Sequence, residues 1–196
     1  MPSVVQYAKT CEGWKENKLL SYFVLMDRVL GEGRFLKLVR TAQGWEYAER
    51  TRGTGAVMMF AATEDGRVVL VEEFRPPVGC SCICFPAGLK GDVEVGEAAA
   101  DSARRELLEE AGYEAEEMRF LFTGPSSPGM TSETVDFFLA QGLRKVSAGG
   151  GVENERITVH EVPLDGVDAW LEARMQAGAM VDPRVYTGLY FLSERG

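Results

Sequence analysis

Residues 91–113, GDVEVGEAAADSARRELLEEAGY, constrain the fold more than any other part of the chain. From Glu97 to Ala111 this segment is rich in Ala, Leu, Glu and Arg, which favour helix, and Gly112 is a common residue just beyond a helix. At about 100° per residue, one narrow stripe of the helix is apolar and mostly small. Its members are Ala100, Ala103, Leu107 and Ala111. The segment therefore predicts a helix that packs closely against a sheet.

Three carboxylates lie beside that stripe. Glu106, Glu109 and Glu110 are related as i, i+3 and i+4, so like charges crowd one strip at the edge of the packed face. The whole chain already carries a formal charge of −9. A hard divalent cation such as Mg²⁺, which prefers oxygen ligands and often joins carboxylates to substrate phosphates, would explain the cluster. The alternative interpretation is a solvated acidic helix face.

The rest of the sequence predicts strands around this helix and two helices at the end. Residues 1–53 contain short alternating runs separated by glycines, which are typical of a small antiparallel β unit. Residues 56–74 predict two apolar strands around a turn at 64–66, and further strands are expected over 118–124, 134–143 and 157–164. Helices are expected over 167–177 and from Pro183, with Asp182 as the N-cap. We predict an N-terminal β unit over 1–53 and a mixed α/β domain over 54–196.

Composition limits the classes of function. With 45% apolar residues the chain can bury a core, yet it contains no apolar run long enough for a membrane span and no apolar leader typical of secretion. The charge of −9, without a basic cluster, disfavours partners such as nucleic acid and anionic membranes. These features predict a cytoplasmic protein.

Three of the four cysteines are Cys80, Cys82 and Cys84, at alternate positions of one predicted strand. Residues two apart in a strand point the same way without the geometry of a disulfide, so reduced thiols are expected. We interpret them as strand residues, with Cys82 buried as a small hydrophobe. A soft-metal site is the alternative, but the paired C-x2-C spacing or added histidines that structural zinc usually needs are missing.

The spacing within residues 91–113 is G-x5-E-x7-R-E-U-x-E-E-x-G-U, where U is bulky and apolar. This pattern resembles the signature box of the Nudix hydrolases. The resemblance implies a loop-helix-loop on a mixed α/β/α sandwich. It also implies an enzyme that hydrolyses a nucleoside diphosphate linked to another group. It also implies that Glu106 and Glu110 are the main metal ligands, that Glu109 is a further ligand or holds a water, and that Arg105 orients them.

Segments outside the box resemble the ADP-sugar pyrophosphatases of the ADP-ribose class. They are residues 74–79, 86–88, 126–133 and 181–192. Pro128 lies sixteen residues after Gly112, where this subfamily carries a proline. The implied activity is Mg²⁺-dependent hydrolysis of ADP-ribose or a related ADP-sugar to AMP and a sugar phosphate, with Mn²⁺ as a substitute metal. Alternatives are a Nudix enzyme for NADH, another nucleotide sugar or an oxidised nucleotide, and a non-catalytic nucleotide-sugar sensor. The intact glutamate triplet disfavours the sensor.

The hydrolysis needs a base to take the proton of water. The only histidine, His160, lies in an alternating strand pattern, which is more typical of an ordinary strand residue. The resemblance instead suggests a loop carboxylate, because Glu155 matches the position of the base in this class. Glu133 and Glu153 are the alternatives.

Aromatic and cationic residues are the candidates for substrate binding. Trp45 and Phe35 match the positions at which the resembled enzymes sandwich adenine, and the alternative is that both pack the small sheet. Arg50 and Arg75 are suited to bidentate contacts with adenine or the diphosphate, and the alternative is a salt bridge for each. In the resembled enzymes the stacking residues come from both subunits of an exchanged N-terminal arm. A homodimer is therefore implied.

Two departures from the family pattern affect the expected metal site. In the resembled enzymes the box usually begins at the glycine of Pro-Ala-Gly. Here that glycine is Gly88, whereas the box begins at Gly91, so residues 89–91 are an insertion. The insertion puts in question the position of the Ala87 backbone carbonyl, a metal ligand by analogy. In addition, Cys84 replaces a common glutamate that pairs with the helix arginine, so Arg105 needs another partner.

Overall fold

The structure is a computed structural model that describes residues 27–53, 55–91, 96–152 and 155–194. The described N-terminal residues form a three-stranded antiparallel sheet of β1 (Arg28–Glu32), β2 (Leu36–Arg40) and β3 (Glu46–Arg50). The small antiparallel unit expected from the sequence is therefore present from residue 28 onward. The part of that prediction that concerns residues 1–26 lies outside the described residues.

Two four-stranded sheets form the centre of the main domain. The first has the order β7 (Ala87–Leu89), β4 (Ala56–Ala61), β9 (Thr134–Lys145) and β8 (Tyr113–Pro125). The second has the order β10 (Ile157–Pro163), β5 (Arg67–Arg75), β6 (Cys80–Cys84) and β11 (Met180–Val181). β4 pairs in parallel with β9 and β6 in parallel with β11, while the other pairings are antiparallel. Both sheets are therefore mixed.

The expected turn at 64–66 joins β4 to β5, but it does not close a hairpin. β4 belongs to the first sheet and β5 to the second, and only the isolated pairing of Ala62 with Val68 connects them near the turn. The turn thus passes the chain from one sheet to the other.

The helices agree with the sequence prediction, with one difference in hydrogen bonding. α1 (Ala99–Glu106) continues into a π-helical segment (Leu107–Ala111), so the predicted helix is confirmed from Ala99 onward, two residues after its expected start, and its last turn is wider. α2 (Val167–Gln176) and α3 (Arg184–Glu194) follow near the end of the chain. The Arg184 backbone N–H donates to Oδ1 of Asp182 at 2.8 Å, as expected for an N-cap. None of the described helices is both long and apolar enough to span a membrane.

Alternate residues of β4 face two separate cores, which explains its continuous apolar sequence. Val57 and Met59 pack with Ala103 and Leu107 of the first helical segment. Met58 and other residues of the second core pack with α2 and α3. Helices therefore cover both faces of the sheet layer, and the predicted α/β/α sandwich is confirmed.

Candidate active site

A cleft of about 700 Å³ lies between the two four-stranded sheets, with Arg50 of β3 at its edge. Carboxylates and guanidinium groups of the main domain and the small sheet converge on it. The carboxylates are Glu73, Glu106, Glu110, Glu133, Glu155 and Asp182. The guanidinium groups are those of Arg50, Arg75 and Arg184. The lining also includes Ala87 and Gly88, so the cleft contains the predicted box and the Pro-Ala-Gly segment together.

Glu106 and Glu110 are buried where the box helix meets β7. Their exposed fractions are 8% and 6%. The backbone N–H of Ala87 donates to Oε2 of Glu110 at 2.9 Å. A Cβ at Gly88 would lie 1.9 Å from the carboxyl carbon of Glu106, so any side chain there would displace the Glu106 carboxylate. Ala87 therefore lies directly beside both box carboxylates, despite the insertion that follows it.

The inserted residues continue β7 and attach it to the first sheet. Leu89 pairs with Ala56 of β4, and the Lys90 amino group lies 2.5 Å from a carboxylate oxygen of Asp136 on β9. The hydroxyl of Thr123 donates to the other oxygen of Asp136 at 2.6 Å. Since Asp136 is buried, this ion pair anchors Lys90 to the first sheet, while the neighbouring Leu89 lines the cleft.

Arg105 has three carboxylate neighbours that replace the missing glutamate at position 84. Its Nη1 lies 2.9 Å from Glu106 and 3.2 Å from Glu109, and its Nε lies 3.6 Å from Glu97. Neither Arg105 nor Glu109 lines the cleft. The guanidinium therefore holds Glu106 from behind, which fits the predicted orienting role. Glu109 lies farther from the cleft than the two main candidate ligands.

Burial changes the protonation of Glu110. Loss of hydration is the largest cause that raises its pKa to about 8, while the Ala87 N–H opposes the rise, Glu106 and Glu155 add to it and Arg75 opposes it. Carboxylate oxygens crowded in this way are ligands that a hard divalent cation prefers. The charge of such a cation would offset both the mutual repulsion and the lost hydration. The residues present therefore fit a divalent metal.

A run of glycines supports the C-terminal end of the box helix. The glycines at 149–151 form a loop that packs against the helix. The N–H groups of Gly150 and Gly151 donate to the carbonyls of Glu110 and Glu109 at 2.9 and 3.0 Å. A Cβ at Gly149 would lie 2.5 Å from the Glu110 carbonyl oxygen. The run therefore caps the helix and brings the chain toward Glu155.

The candidate bases have different surroundings. Glu155 lines the cleft, and its Oε2 accepts a hydrogen bond from the Val152 N–H at 3.0 Å. Glu133 also lines the cleft, but its carboxylate forms an ion pair with Nε of Arg50. Glu153 lies outside the described residues. His160 is not among the lining residues and bonds instead to Glu72 through Nε2 at 2.9 Å.

The predicted substrate-binding residues divide into two groups. Arg50 and Arg75 line the cleft, and Arg75 lies 2.9 Å from Glu73. Phe35 and Trp45 are 66% and 61% exposed and do not line it. They lie at opposite ends of the small sheet.

Backbone hydrogen bonds fix those two positions. The carbonyl of Phe35 accepts from Thr51, next to Arg50, whereas the carbonyl of Trp45 accepts from Thr41 at the far end of β2. Phe35 is therefore near the cleft of its own chain, and Trp45 is remote from it.

The cysteines differ from the expectation in one respect. Both Cys82 and Cys84 line the cleft, but Cys84 is buried and Cys82 is only half-buried, so the prediction of a buried Cys82 is wrong. Burial raises the pKa of the Cys84 thiol to about 12, which keeps it neutral. A neutral Cys84 cannot form an ion pair with Arg105, so Arg105 pairs with other residues.

Sequence reasoning missed Glu73 and Arg184 as residues of the cleft. It used Asp182 only as a helix cap, although the carboxylate also faces the cleft and holds Arg184. The signal that could have found them is the segment Asp182-Pro183-Arg184. It places a carboxylate and a cation at the start of a helix, directly after a strand that pairs with β6.

Paired buried carboxylates beside a cleft lined with arginines define a class of sites suited to a metal ion and a phosphate substrate. The NUDIX domain profile matches residues 51–177. The chain therefore belongs to the Nudix hydrolase family.

Several characterised proteins are similar in sequence. The methanol dehydrogenase activator of Bacillus methanolicus is 39% identical over 118 residues, which are 60% of this chain and 62% of that protein. The ADP-ribose pyrophosphatase of Bacillus subtilis (strain 168) is 34% identical over 64% of this chain and 67% of that protein. The GDP-mannose pyrophosphatase of Yersinia pestis (strain Pestoides F) is 32% identical over 92% of this chain and 90% of that protein.

A solved structure has the same fold. The structure described as "Crystal structure of ADP compounds hydrolase" has a TM-score of 0.63 and 24% identity, and the match covers 87% of this chain and 91% of that one. The architecture is thus shared over nearly the whole of both chains.

Proposed function

We propose that this protein hydrolyses the pyrophosphate bond of ADP-ribose or a related ADP-sugar, giving AMP and a sugar phosphate. The observation that carries the proposal is the convergence of the buried pair Glu106 and Glu110 with Arg50 and Arg75 on one cleft. The names of the relatives, one an ADP-ribose pyrophosphatase and another a GDP-mannose pyrophosphatase, support the same type of bond.

The charge of the cleft supports a metal requirement. Six carboxylates line it against three guanidinium groups, so fully ionised side chains leave an excess of negative charge. A diphosphate is itself an anion, and a cleft of this charge would repel it. We propose that Glu106 and Glu110 hold Mg²⁺, or Mn²⁺ as a substitute, with Glu109 and the Ala87 carbonyl as further oxygen ligands. Such a metal neutralises phosphoryl oxygens and acidifies a bound water.

The chain's own residues supply the remaining parts of the reaction. Glu155 takes the proton of the attacking water, whose oxygen forms a bond to one phosphorus. The bond from that phosphorus to the bridging oxygen breaks, and this oxygen leaves on the second phosphate. Arg105 holds Glu106 in place from outside the cleft. Glu133 is the second candidate base, but its ion pair with Arg50 opposes that role in the free protein.

The positions of Phe35 and Trp45 support a two-chain adenine site. Six residue steps separate Phe35 from the far end of β2, where Trp45 lies, so the two backbones are roughly 20 Å apart at about 3.4 Å per residue. Rings stacked on one base lie much closer together, since the centroids of a stacked pair are about 4.5–7 Å apart. We therefore infer that Trp45 of one chain and Phe35 of another hold the base. In this proposal residues 1–53 are the arm for dimerisation and adenine stacking, and residues 54–196 are the hydrolase domain.

The surface of the small sheet supports the homodimer. Leu36 and Leu38, on one face of β2, are 50% and 43% exposed, although their side chains are apolar. A second copy of the sheet would bury them.

The free thiols of Cys80, Cys82 and Cys84 suit a reducing compartment, and we propose the cytoplasm as the location.

A panel of substrates tests the proposed function. Purified protein with Mg²⁺ is incubated with ADP-ribose, ADP-glucose, GDP-mannose, NADH and 8-oxo-dGTP, and the products are separated by chromatography. We expect AMP and ribose 5-phosphate from ADP-ribose, with the highest kcat/KM of the panel. A higher kcat/KM for GDP-mannose or NADH would reassign the substrate. Binding of ADP-ribose without hydrolysis of any compound would indicate a sensor.

A further inference from the structure

Arg184 lines the cleft in an arrangement that its role at the start of α3 does not explain. Its Nε donates to Oδ1 and Oδ2 of Asp182 at 2.8 and 3.0 Å, and its Nη2 also donates to Oδ2. The same Oδ1 accepts the Arg184 backbone N–H at 2.8 Å. One carboxylate therefore fixes both the backbone and the guanidinium plane of a single residue.

The pair is attached to the second four-stranded sheet. The Asp182 N–H donates to the carbonyl of Ile83 at 2.9 Å, and the preceding strand β11 pairs with β6. Arg50, in contrast, enters the cleft from β3. The two guanidinium groups therefore reach the cleft from different sheets, and both interact with Glu133.

The hydrogen bonds leave a donor available for a ligand. Within the described part of the chain, the side-chain bonds of Arg184 run through Nε and Nη2, so Nη1 is the remaining nitrogen of the fork. Arginine forks match the oxygens of a phosphoryl group. An arginine already fixed by a carboxylate loses less conformational freedom on binding, which favours affinity.

We propose that Arg184 is a specificity-determining residue that donates to the phosphoryl group on the sugar side of the substrate, with Asp182 as its positioning residue. This inference rests on the proposed function and on the nucleoside lying toward the small sheet. Arg50 then binds the nucleotide side, and Arg184 binds the half that leaves as the sugar phosphate. The ligand class is a phosphorylated sugar.

Product binding tests this assignment without depending on turnover. The dissociation constants of ribose 5-phosphate and AMP are measured by isothermal titration calorimetry in the presence of Mg²⁺. We expect Arg184→Gln to weaken ribose 5-phosphate binding by roughly 10- to 150-fold, the range for a hydrogen bond to a charged group. The dissociation constant of AMP should change less than twofold. Arg184→Lys, which keeps the charge but lacks the fork, should give an intermediate loss for ribose 5-phosphate.

The matched control is Arg67→Gln. Arg67 also pairs with an aspartate two residues away, Asp65, but it lies outside the cleft. The Arg67→Gln variant should bind both products as tightly as the wild type does. Equal weakening of both products by Arg184→Gln, or weakening of neither, would overturn the assignment. If Arg184→Gln does not fold, the same comparison is made with Arg184→Lys.

The two proposals fail in different ways. If the wild-type protein hydrolyses none of the substrate panel, the proposed function is wrong. If it hydrolyses ADP-ribose and the Arg184 variants show no selective loss of ribose 5-phosphate, only the assignment of Arg184 is wrong.

Discussion

Glu110 illustrates how burial determines the chemistry of one residue. Its carboxylate is buried beside Glu106, and its pKa is raised to about 8 from an ordinary value of 4.5. Folding therefore favours the protonated form in the metal-free protein. The contribution to stability is fully present below pH 4.5 and is lost as the pH rises through about 8.

This linkage predicts how metal-free protein responds to pH. After treatment with EDTA, the Tm of the wild type should fall relative to that of Glu110→Gln between pH 5 and pH 8, because only the wild type must ionise a buried carboxylate. Adding Mg²⁺ at pH 8 should raise the Tm of the wild type more than that of the variant. Differential scanning fluorimetry measures both. Parallel Tm curves for the two proteins would show that Glu110 is already ionised without metal.

The choice of base is the second prediction at this scale. Glu155→Gln should lower kcat by roughly 10²- to 10⁴-fold, the usual contribution of a general base, while KM and the Mg²⁺ dependence stay nearly constant. Glu133→Gln should cost less, because its carboxylate is paired with Arg50. Steady-state kinetics from pH 5 to pH 9 measure both variants, and His160→Ala should keep the wild-type pH profile. A larger kcat loss for Glu133→Gln would exchange the roles of the two glutamates.

The sequence alone was sufficient to predict those site residues whose positions follow from local spacing. Glu106 and Glu110 share one strip because a helix repeats every 3.6 residues. Contacts between distant segments were not predictable, because they depend on how the sheets pack. The pair of Arg50 and Glu133 joins positions 83 residues apart in sequence.

At the scale of secondary-structure elements, local sequence predicted the box helix, but contacts with distant segments were not predictable. Helix-forming residues and Gly112 predicted its length, but not the change from α to π hydrogen bonding. Nor did they predict that the glycines at 149–151 would cap it, since a Gly-rich run by itself is typical of a flexible linker. Close approach to the helix is what requires glycine at 149, where a Cβ would meet the Glu110 carbonyl.

The third prediction concerns Trp45 of the small sheet. If Trp45 stacks on adenine, Trp45→Ala should raise KM for ADP-ribose by roughly 5- to 150-fold, from about 1–3 kcal/mol per stacked base, with little change in kcat. Trp45→Phe keeps an aromatic face and should retain most of the affinity. Steady-state kinetics with ADP-ribose measure KM for both variants. An unchanged KM for Trp45→Ala would limit Trp45 to a packing role.

At the scale of the whole molecule, the dimer predicts complementation between two defective chains. In a dimer of Trp45→Ala with Glu110→Gln, one site has intact box carboxylates from the first chain and Trp45 from the second. Such mixed dimers, obtained by co-expression, should hydrolyse low concentrations of ADP-ribose faster than the two variants assayed separately. Size-exclusion chromatography with light scattering checks the dimer.

The matched control combines Glu106→Gln with Glu110→Gln. Each chain of this mixed dimer has a defect in its own box, so no site is complete and activity should stay low. Activity of the first mixture equal to that of its separate components would contradict an adenine site shared between chains.

Glu110 is proposed to help hold the metal on which hydrolysis depends, and the turnover of Glu110→Gln tests this role most directly. The substitution keeps the shape of the side chain and removes its charge. We expect kcat for ADP-ribose at saturating Mg²⁺ to fall about 100-fold or more, equivalent to ~2.7 kcal/mol or more. Glu114→Gln, which removes an exposed glutamate paired with Arg144, should leave kcat unchanged. A kcat for Glu110→Gln within threefold of the wild-type value would contradict the account.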